Sequence, residues 1–440
     1  FYEGRFVFGG KLVEGQGNDP FKIQSRGDAW ECELNGFEWL RHLSANKDNQ
    51  YSQYACTLIE SWIEKYINTD SSAAWNLKVT SIRLISWLSN SILIVSNSEH
   101  EFHERFMRII GNHIRFLKRE VSNTAETMTR IYALAALSYA SVCQENQSKA
   151  LNTMLDKLAQ EVHEQVLIDG SHKTRNPATI IDLLVLLLPL QKVCEATETE
   201  FPQLLSNAIE RLLIGLRHYK LTDGSLAHFN GSGHVERELL ATLLRHDDFN
   251  LPSSEDPISG YERIKTESST LIMDVGQTPK GELSLEAHAG CLSFEFSHEN
   301  DVIITNCGVP RFMENNVSQE WRATKSHSTA VINNTSSCKF ENTSSTGIAL
   351  GGFIYASNLK PEIERIIQDE TTIINAAHHG YVRDYNIRHQ RTISLNKNGT
   401  EINGNDWFSA PDKSDLRDAE KDKASIHFHL APAVKASISK

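Results

Sequence analysis

A chain of 440 residues, 40% hydrophobic and 23% charged, exceeds one compact core and has the composition of a globular protein of two or three domains. Its formal charge of −12 excludes a general nucleic-acid or anionic-membrane binder, which needs a basic face, while leaving room for a local cationic cluster. No apolar run approaches the ~18 residues of a membrane span: Ile180 to Leu190 is shorter, carries Asp182 and reads as a buried helix.

The seven cysteines are scattered singly with no CxxC pair, which indicates neither a disulfide framework nor a zinc ribbon. The first residues show no signal-peptide pattern and no initiator Met, so a processed or trimmed form is expected.

From about Asn35 to about Arg245 apolar residues recur at helical spacing: Leu58, Trp62 and Tyr66; Ile82, Ile85 and Leu88; Ile110, His113, Ile114 and Leu117; then Leu151 to Val166, Ile180 to Leu190 and Leu204 to Leu216. Turns separate the runs, among them 44–49, 70–72, 97–98, Asp169-Gly170-Ser171 and Asp223-Gly224-Ser225. Eight to ten helices joined by short turns predict stacked antiparallel hairpins, as an open solenoid or a closed toroid, and the lack of a repeat consensus favours the toroid. The segment Asp247 to Pro257 has the composition of a linker. Beyond it the period becomes two, over Leu283, Leu285 and Ala287, then Leu292, Phe294 and Phe296, then Val302 and Ile304. Asn398-Gly399 and Asn403-Gly404-Asn405 mark hairpin turns. The expected architecture is α+β and multidomain: a helical (α/α) toroid over 1–250, then an antiparallel β-sandwich over 251–440. The chain stops after Ile426 to Leu430 and Val434 to Ile438 without turn chemistry, so further strands are expected beyond its end.

Five segments could carry chemistry. In Glu286-Ala287-His288-Ala289-Gly290, read as a strand, Glu286 and His288 share a non-apolar face that is either solvated or lines a cleft. Thr305-Asn306-Cys307-Gly308 ends an apolar strand, and Ser326-His327-Ser328 begins another. His288, Asn306 and His327 together make a candidate N/O zinc site. Between helices, Asp169-Gly170-Ser171-His172-Lys173-Thr174-Arg175 reads either as ordinary helix-end electrostatics or as a cationic pocket for a carboxylate or sulfate. His228-Phe229-Asn230-Gly231-Ser232-Gly233-His234 is Gly-rich without the placement of a nucleotide loop. In Ala377-His378-His379-Gly380-Tyr381 and His389-Gln390-Arg391, alternating exposure in a hairpin accounts for the polar residues.

Four of these segments, taken in chain order, resemble the heparinase II/III family. Its sandwich pattern, His-x-His-Ala-Asp-x-Leu-Ser-Phe-Glu, is matched by Glu286 to Glu295. Its Asp-x-Gly strand end is matched by Asn306-Cys307-Gly308, its His-Asn-Thr segment by His327-Ser328-Thr329, and its Asp-Gly-x-His stretch by Asp169 to His172. Trp75, Arg83 and Trp87 are similar to its early Trp-Arg-Trp helix. The resemblance implies a carbon–oxygen lyase with a toroid and a sandwich, acting on a uronic-acid polysaccharide such as a bacterial enzyme's glycosaminoglycan. A base removes the proton α to the carboxylate, a polar or cationic group stabilises the resulting charge, and an acid protonates the leaving oxygen.

Carried across, it makes His288, His172, Asn123 and Tyr381 catalytic candidates and Arg175, Lys173, Asn230 and His228 substrate-binding candidates. Zinc is an implied cofactor, an acidic polysaccharide or oligosaccharide the implied partner, and the periplasm the implied compartment. The sequence departs from the family at Thr179, where the catalytic Tyr is expected, and at Glu286, Gly290 and Asn306. Two other readings remain: a non-catalytic relative serving as a glycan-binding or envelope scaffold, and a toroid glycoside hydrolase using carboxylates such as Glu126, Asp169 and Glu286.

Overall fold

The computed structural model describes residues 4–15, 17, 19–45, 49–69, 73–96, 98–144, 148–246, 256–311, 319–341, 352–368, 370–412, 416 and 420–437. The expected linker lies outside them up to residue 255, as do the turn residues 46–48, 70–72 and 97. Two compact units are present. The first contains the described residues of 1–164 and 186–206, and the second those of 165–185, 207–311 and 316–440. The composition break near 250 marks where helix gives way to strand, while the compact units divide elsewhere.

The first unit opens with an element that the helical reading lacked, a hairpin of Arg5–Phe8 and Lys11–Glu14 turning on Gly9 and Gly10, both at positive φ. Phe6, Phe8 and Val13 point from it into the core. Helices follow at Asp28–Gly36, Leu40–Ser44, Asn49–Tyr66, Leu77–Ser89, Ser91–Val95, His100–Glu120 and Thr127–Val142. Leu77–Ser89 begins where the Asn76 side chain accepts the N–H groups of Lys78 and Val79, satisfying two of the donors a helix start leaves open. Its inward face delivers Arg83 into an aromatic cage, with the guanidinium carbon 4.2 Å from the Trp62 ring centre and 5.6 Å from that of Trp75. Arg83 Nε donates to His113 Nε2 at 2.7 Å and Nη1 to the carbonyls of Asn35 and Ala74. The Trp75, Arg83 and Trp87 set is therefore the centre of a core.

Four further helices, Ser148–Gln165, Pro177–Ala196, Gln203–Tyr219 and Arg237–Leu244, precede the sheets. Pro177–Ala196 is long and apolar enough to cross a membrane, but 61% of its most apolar window is buried inside the protein, as in a core helix.

In the second unit an antiparallel five-stranded sheet runs in the order 429–430, 301–305, 294–298, 269–274, 261–265. An antiparallel four-stranded sheet runs 362–368, 371–378, 388–396, 402–409. Leu271, Met273, Phe294 and Phe296 of the first pack in one core with Ile374, Ala376, Ile393 and Leu395 of the second, which makes a two-sheet sandwich. The chain is thus an α+β multidomain protein, helices first and antiparallel sheets second.

Two expectations are corrected. Asn403-Gly404-Asn405 is not a turn but the interior of strand Ile402–Ser409, paired with 392–394; the hairpin turn is at Gly399, at φ +72°. Residues 283–293 do not form a strand: Gly281–Ser284 is a 3-10 helix, and 285–293 is irregular. There Ala289 N–H bonds to the Arg322 carbonyl and Leu292 N–H to that of Asp274, so the backbone is satisfied singly rather than by a ladder.

Candidate functional site

Two helix ends build the site with the same turn. In Asp169-Gly170-Ser171 the Asp169 carboxylate accepts the Ser171 N–H and hydroxyl, and Val166 bridges to His172. In Asp223-Gly224-Ser225 the Asp223 carboxylate accepts the Ser225 N–H and hydroxyl, and Lys220 bridges to Leu226. Gly170 lies at φ +87°, and a Cβ there would sit 2.1 Å from the Arg211 carbonyl oxygen. The first turn leads to His172, Arg175 and Asn176, and the second to His228 and Asn230. Asn176 then starts helix Pro177–Ala196, its side chain accepting the Ala178 N–H with proline at the first helical position.

The two segments meet through Asn230, whose Nδ2 donates to the Arg175 carbonyl at 3.0 Å and to the Tyr261 hydroxyl. Its Oδ1 accepts the His288 N–H at 3.0 Å. Asn176 Nδ2 reaches the Glu286 carboxylate at 2.9 Å. Arg175 is not open to a substrate carboxylate: it is buried, pairs with Asp274 at 2.6 Å, and donates to the carbonyls of Ser259, Gly260 and Gln277. Lys173 is exposed and His228 is half-buried. The His228 N–H donates to Glu295, whose buried carboxylate also accepts the Asn306 N–H at 2.7 Å and the Thr305 hydroxyl.

His288 and His327 are brought together, with His288 Nδ1 3.0 Å from His327 Nε2 and both rings buried. His327 Nδ1 lies 2.8 Å from the Ala323 carbonyl, which can only accept, so that nitrogen carries the proton. His327 Nε2 is then the acceptor and His288 Nδ1 the donor, which leaves His288 Nε2 as a bare lone pair, buried and unpartnered. Burial, then His327, then Arg322 push His288 well below the usual imidazole range, and burial takes His327 down to about 4. His172 has the opposite polarity. Its Nδ1 accepts the Thr174 N–H, so the buried, unpartnered Nε2 carries the proton, and burial followed by Lys173 takes it to about 4.

Gly290 explains the close pair. A Cβ there would meet His327 Cδ2 at 2.8 Å, so the Asp of the family pattern and this position of His327 exclude each other. The residues do not fit zinc. Two imidazoles are joined by Asn306, a neutral amide whose oxygen already accepts the Ser328 N–H at 2.9 Å, and among the described residues no group of three His, Cys, Asp or Glu is placed to hold a metal.

Tyr381 is buried, and its hydroxyl donates to the Ala330 carbonyl at 3.0 Å; burial raises its pKa. Thr179 is buried as well. Asn123 belongs to the first unit, in an exposed turn where it donates to the Arg119 carbonyl and the Glu120 carboxylate.

Sequence reasoning missed two supports. Arg391 is buried on strand Arg388–Asn396. It grips Asp406 through Nε at 2.8 Å and Nη2 at 3.1 Å, and Nη1 donates to the carbonyls of Leu292 and Ser328, in the two segments that carry His288 and His327. Arg322 donates to the carbonyls of Ser284 and Ala287. The hairpin reading of exposed alternation at 377–381 and 389–391 is corrected too. His378, His389 and Arg391 are buried, His389 Nε2 lies 2.6 Å from Asp406, and His378 lies 3.3 Å from His389. A charged residue in register with Ile393 and Leu395 was the available signal.

The architecture is thus a run of helices followed by a two-sheet sandwich, with a buried histidine pair in the loops before two strands. The chain belongs to the heparinase II/III-like family: the heparinase II/III N-terminal model matches residues 24–256 and the heparinase II/III-like C-terminal model residues 250–440. Among curated proteins it is 27% identical to FtsZ-localized protein C of Caulobacter vibrioides, over 98% of this chain and 74% of that protein. A crystal structure of heparinase III superposes with a TM-score of 0.65 at 15% identity, covering 87% of this chain and 64% of that one. A heparan sulfate lyase HepC mutant from Pedobacter heparinus gives 0.59 at 15%, covering 90% of this chain and 66% of that one. At that identity the likeness shows the fold, and this chain spans about two thirds of the length of those lyases.

Proposed function

We propose that this chain is a non-cleaving relative of the polysaccharide lyases, a glycan-binding scaffold of the cell envelope. The observation that carries this reading is the state of the hydroxyls that would supply the acid: Thr179 stands where the family keeps a Tyr, and the Tyr381 hydroxyl is buried and donates to the Ala330 carbonyl. A phenol so held cannot protonate a leaving glycosidic oxygen without breaking its own bond. The commitment of Arg175 to Asp274 supports the same conclusion, because it removes one of the two cations, Arg175 and Lys173, that would meet a uronate. The name of the Caulobacter relative, aligned over 98% of this chain, supports placing the scaffold with FtsZ.

The test is incubation with heparin, heparan sulfate, hyaluronan, alginate and pectin while following the ultraviolet absorbance of unsaturated uronides. A flat trace on all five is expected, and a fluorescent fusion should co-localise with FtsZ. A rise in absorbance overturns the reading. One observation favours the alternative of an active lyase: the bare lone pair of His288 Nε2 is the form a base takes before abstracting the proton α to a carboxylate. Under that alternative His288→Ala abolishes the absorbance.

A further inference from the structure

The geometry points to a second carbohydrate site, for an uncharged oligosaccharide, on the outer face of the four-stranded sheet, centred on Trp407. The inference rests on the glycan-binding reading above and gives it a place and a ligand class.

Side chains alternate along a strand, so the register assigns the two faces. His378, His389 and Phe408 form one cross-strand row on the core side. The neighbouring row, Glu362, Ala377, Gln390 and Trp407, therefore lies on the opposite face. The next row on that face is Glu364, Asn375, Thr392 and Asn405, and the one after it is Ile366, Ile373, Ser394 and Asn403. Apart from Trp407, 48% exposed, these two central rows hold amides, a hydroxyl, two carboxylates and one alanine.

Ala377 gives the face a floor. Around it lies a hollow of about 170 Å³ walled by Glu362, Ile363, Glu364, Asn375, Arg388 and Gln390, and Trp407 stands next to it as the cross-strand partner of Gln390. The walls are fixed in place. Arg388 donates to Gln390 Oε1 at 2.9 Å and pairs with Glu362, Asn375 Nδ2 donates to Glu364 at 3.2 Å, and the Thr392 hydroxyl donates to Asn375 Oδ1. An aromatic ring beside a fixed set of amides and carboxylates suits a pyranose, which offers a C–H face to the indole and a rim of hydroxyls to the polar groups. Four strands at about 4.8 Å spacing span about 14 Å, room for about two or three sugar rings. Charge decides the ligand class: two carboxylates against one guanidinium leave the rim negative, and the chain carries −12, so a polyanion is repelled while an uncharged glycan is not.

Calorimetric titration of the 440-residue chain with chitohexaose, cellohexaose, maltohexaose and heparin tests this. Saturable binding of at least one uncharged hexasaccharide is expected, weakened about tenfold by Trp407→Ala and several-fold by Gln390→Ala. Phe428→Ala, which removes a different exposed aromatic, should leave binding unchanged. No binding of the three uncharged sugars, equal binding by the Trp407→Ala variant, or binding of heparin alone would overturn the site. Self-association abolished by Trp407→Ala would overturn it too, by giving the face to a second copy of the chain. Release of unsaturated uronide would sink the non-cleaving reading alone, and a Trp407-independent titration would sink only this site.

Discussion

Changing Asp406 to Asn keeps the shape of the side chain and removes the carboxylate that Arg391 and His389 grip. Burial raises the Asp406 pKa, but the hydrogen bonds from His389 and Arg391 and the charge of Arg391 outweigh it and bring the group from 3.8 down to about 2. At roughly 1.36 kcal/mol per pH unit, that depression corresponds to about 2.5 kcal/mol of folding stability at neutral pH. The side chain is 8% exposed, so solvent screening takes little from this figure. For a unit of this size, about 2.5 kcal/mol lowers the melting temperature by roughly 5–10 °C. A folded-state pKa below the unfolded one gives stability that is fully present above the unfolded value and lost as pH falls through the folded value. The difference between native and variant should therefore hold from pH 7 to about 5 and shrink between about 4 and 2. Melting both proteins by calorimetry across that range is the measurement. A variant that melts within a degree of the native protein at pH 7, or a difference that does not shrink in acid, would refute the pairing.

His172 and His327 are held neutral, with pKa values near 4, so the unfolded chain takes up protons first and stability falls as pH drops from about 6.5 to 4. Each should contribute roughly 1.36 kcal/mol per pH unit, and His327→Gln should flatten the urea-midpoint profile by one such contribution; an unchanged slope would show that His327 is not buried neutral. The paired turns give a controlled comparison. Gly224→Ala, at φ +84° with open space around it, should cost about 1–2 kcal/mol, whereas Gly170→Ala adds a clash with the Arg211 carbonyl and should cost more, with equal losses in denaturant unfolding contradicting the packing.

The helices were legible because their period is local: apolar residues at helical spacing, such as Leu58, Trp62 and Tyr66, can be read without knowing what they pack against. The sandwich strands were legible for the same reason. The His288 segment was misread because an apolar-polar alternation over 283–287 resembles a strand, while the actual backbone takes its partners one by one from distant carbonyls. Arg175 was misread because a cation in a turn looks available until Asp274, some hundred residues later, is placed beside it. The likeness to a lyase identified His288 and His327, but their hydrogen bond depends on Gly290, whose missing side chain only distance reveals. Arg391 was present in the pattern as a charge on an inward position, and what it holds, Leu292 and Ser328, lies far from it in sequence.

The two Asp-Gly-Ser turns act as matching sockets. Each closes a helix with the same carboxylate-to-serine clasp, and each hands on a short stretch, 172–176 or 226–230, that carries the chemistry. Beyond each clasp the chain pairs back onto its helix, Lys173 N–H with the Gln165 carbonyl and Ala227 N–H with the Tyr219 carbonyl, so the backbone of each stretch is held independently of its side chains. The same backbone frame can then present different side chains at 172–176 and 226–230.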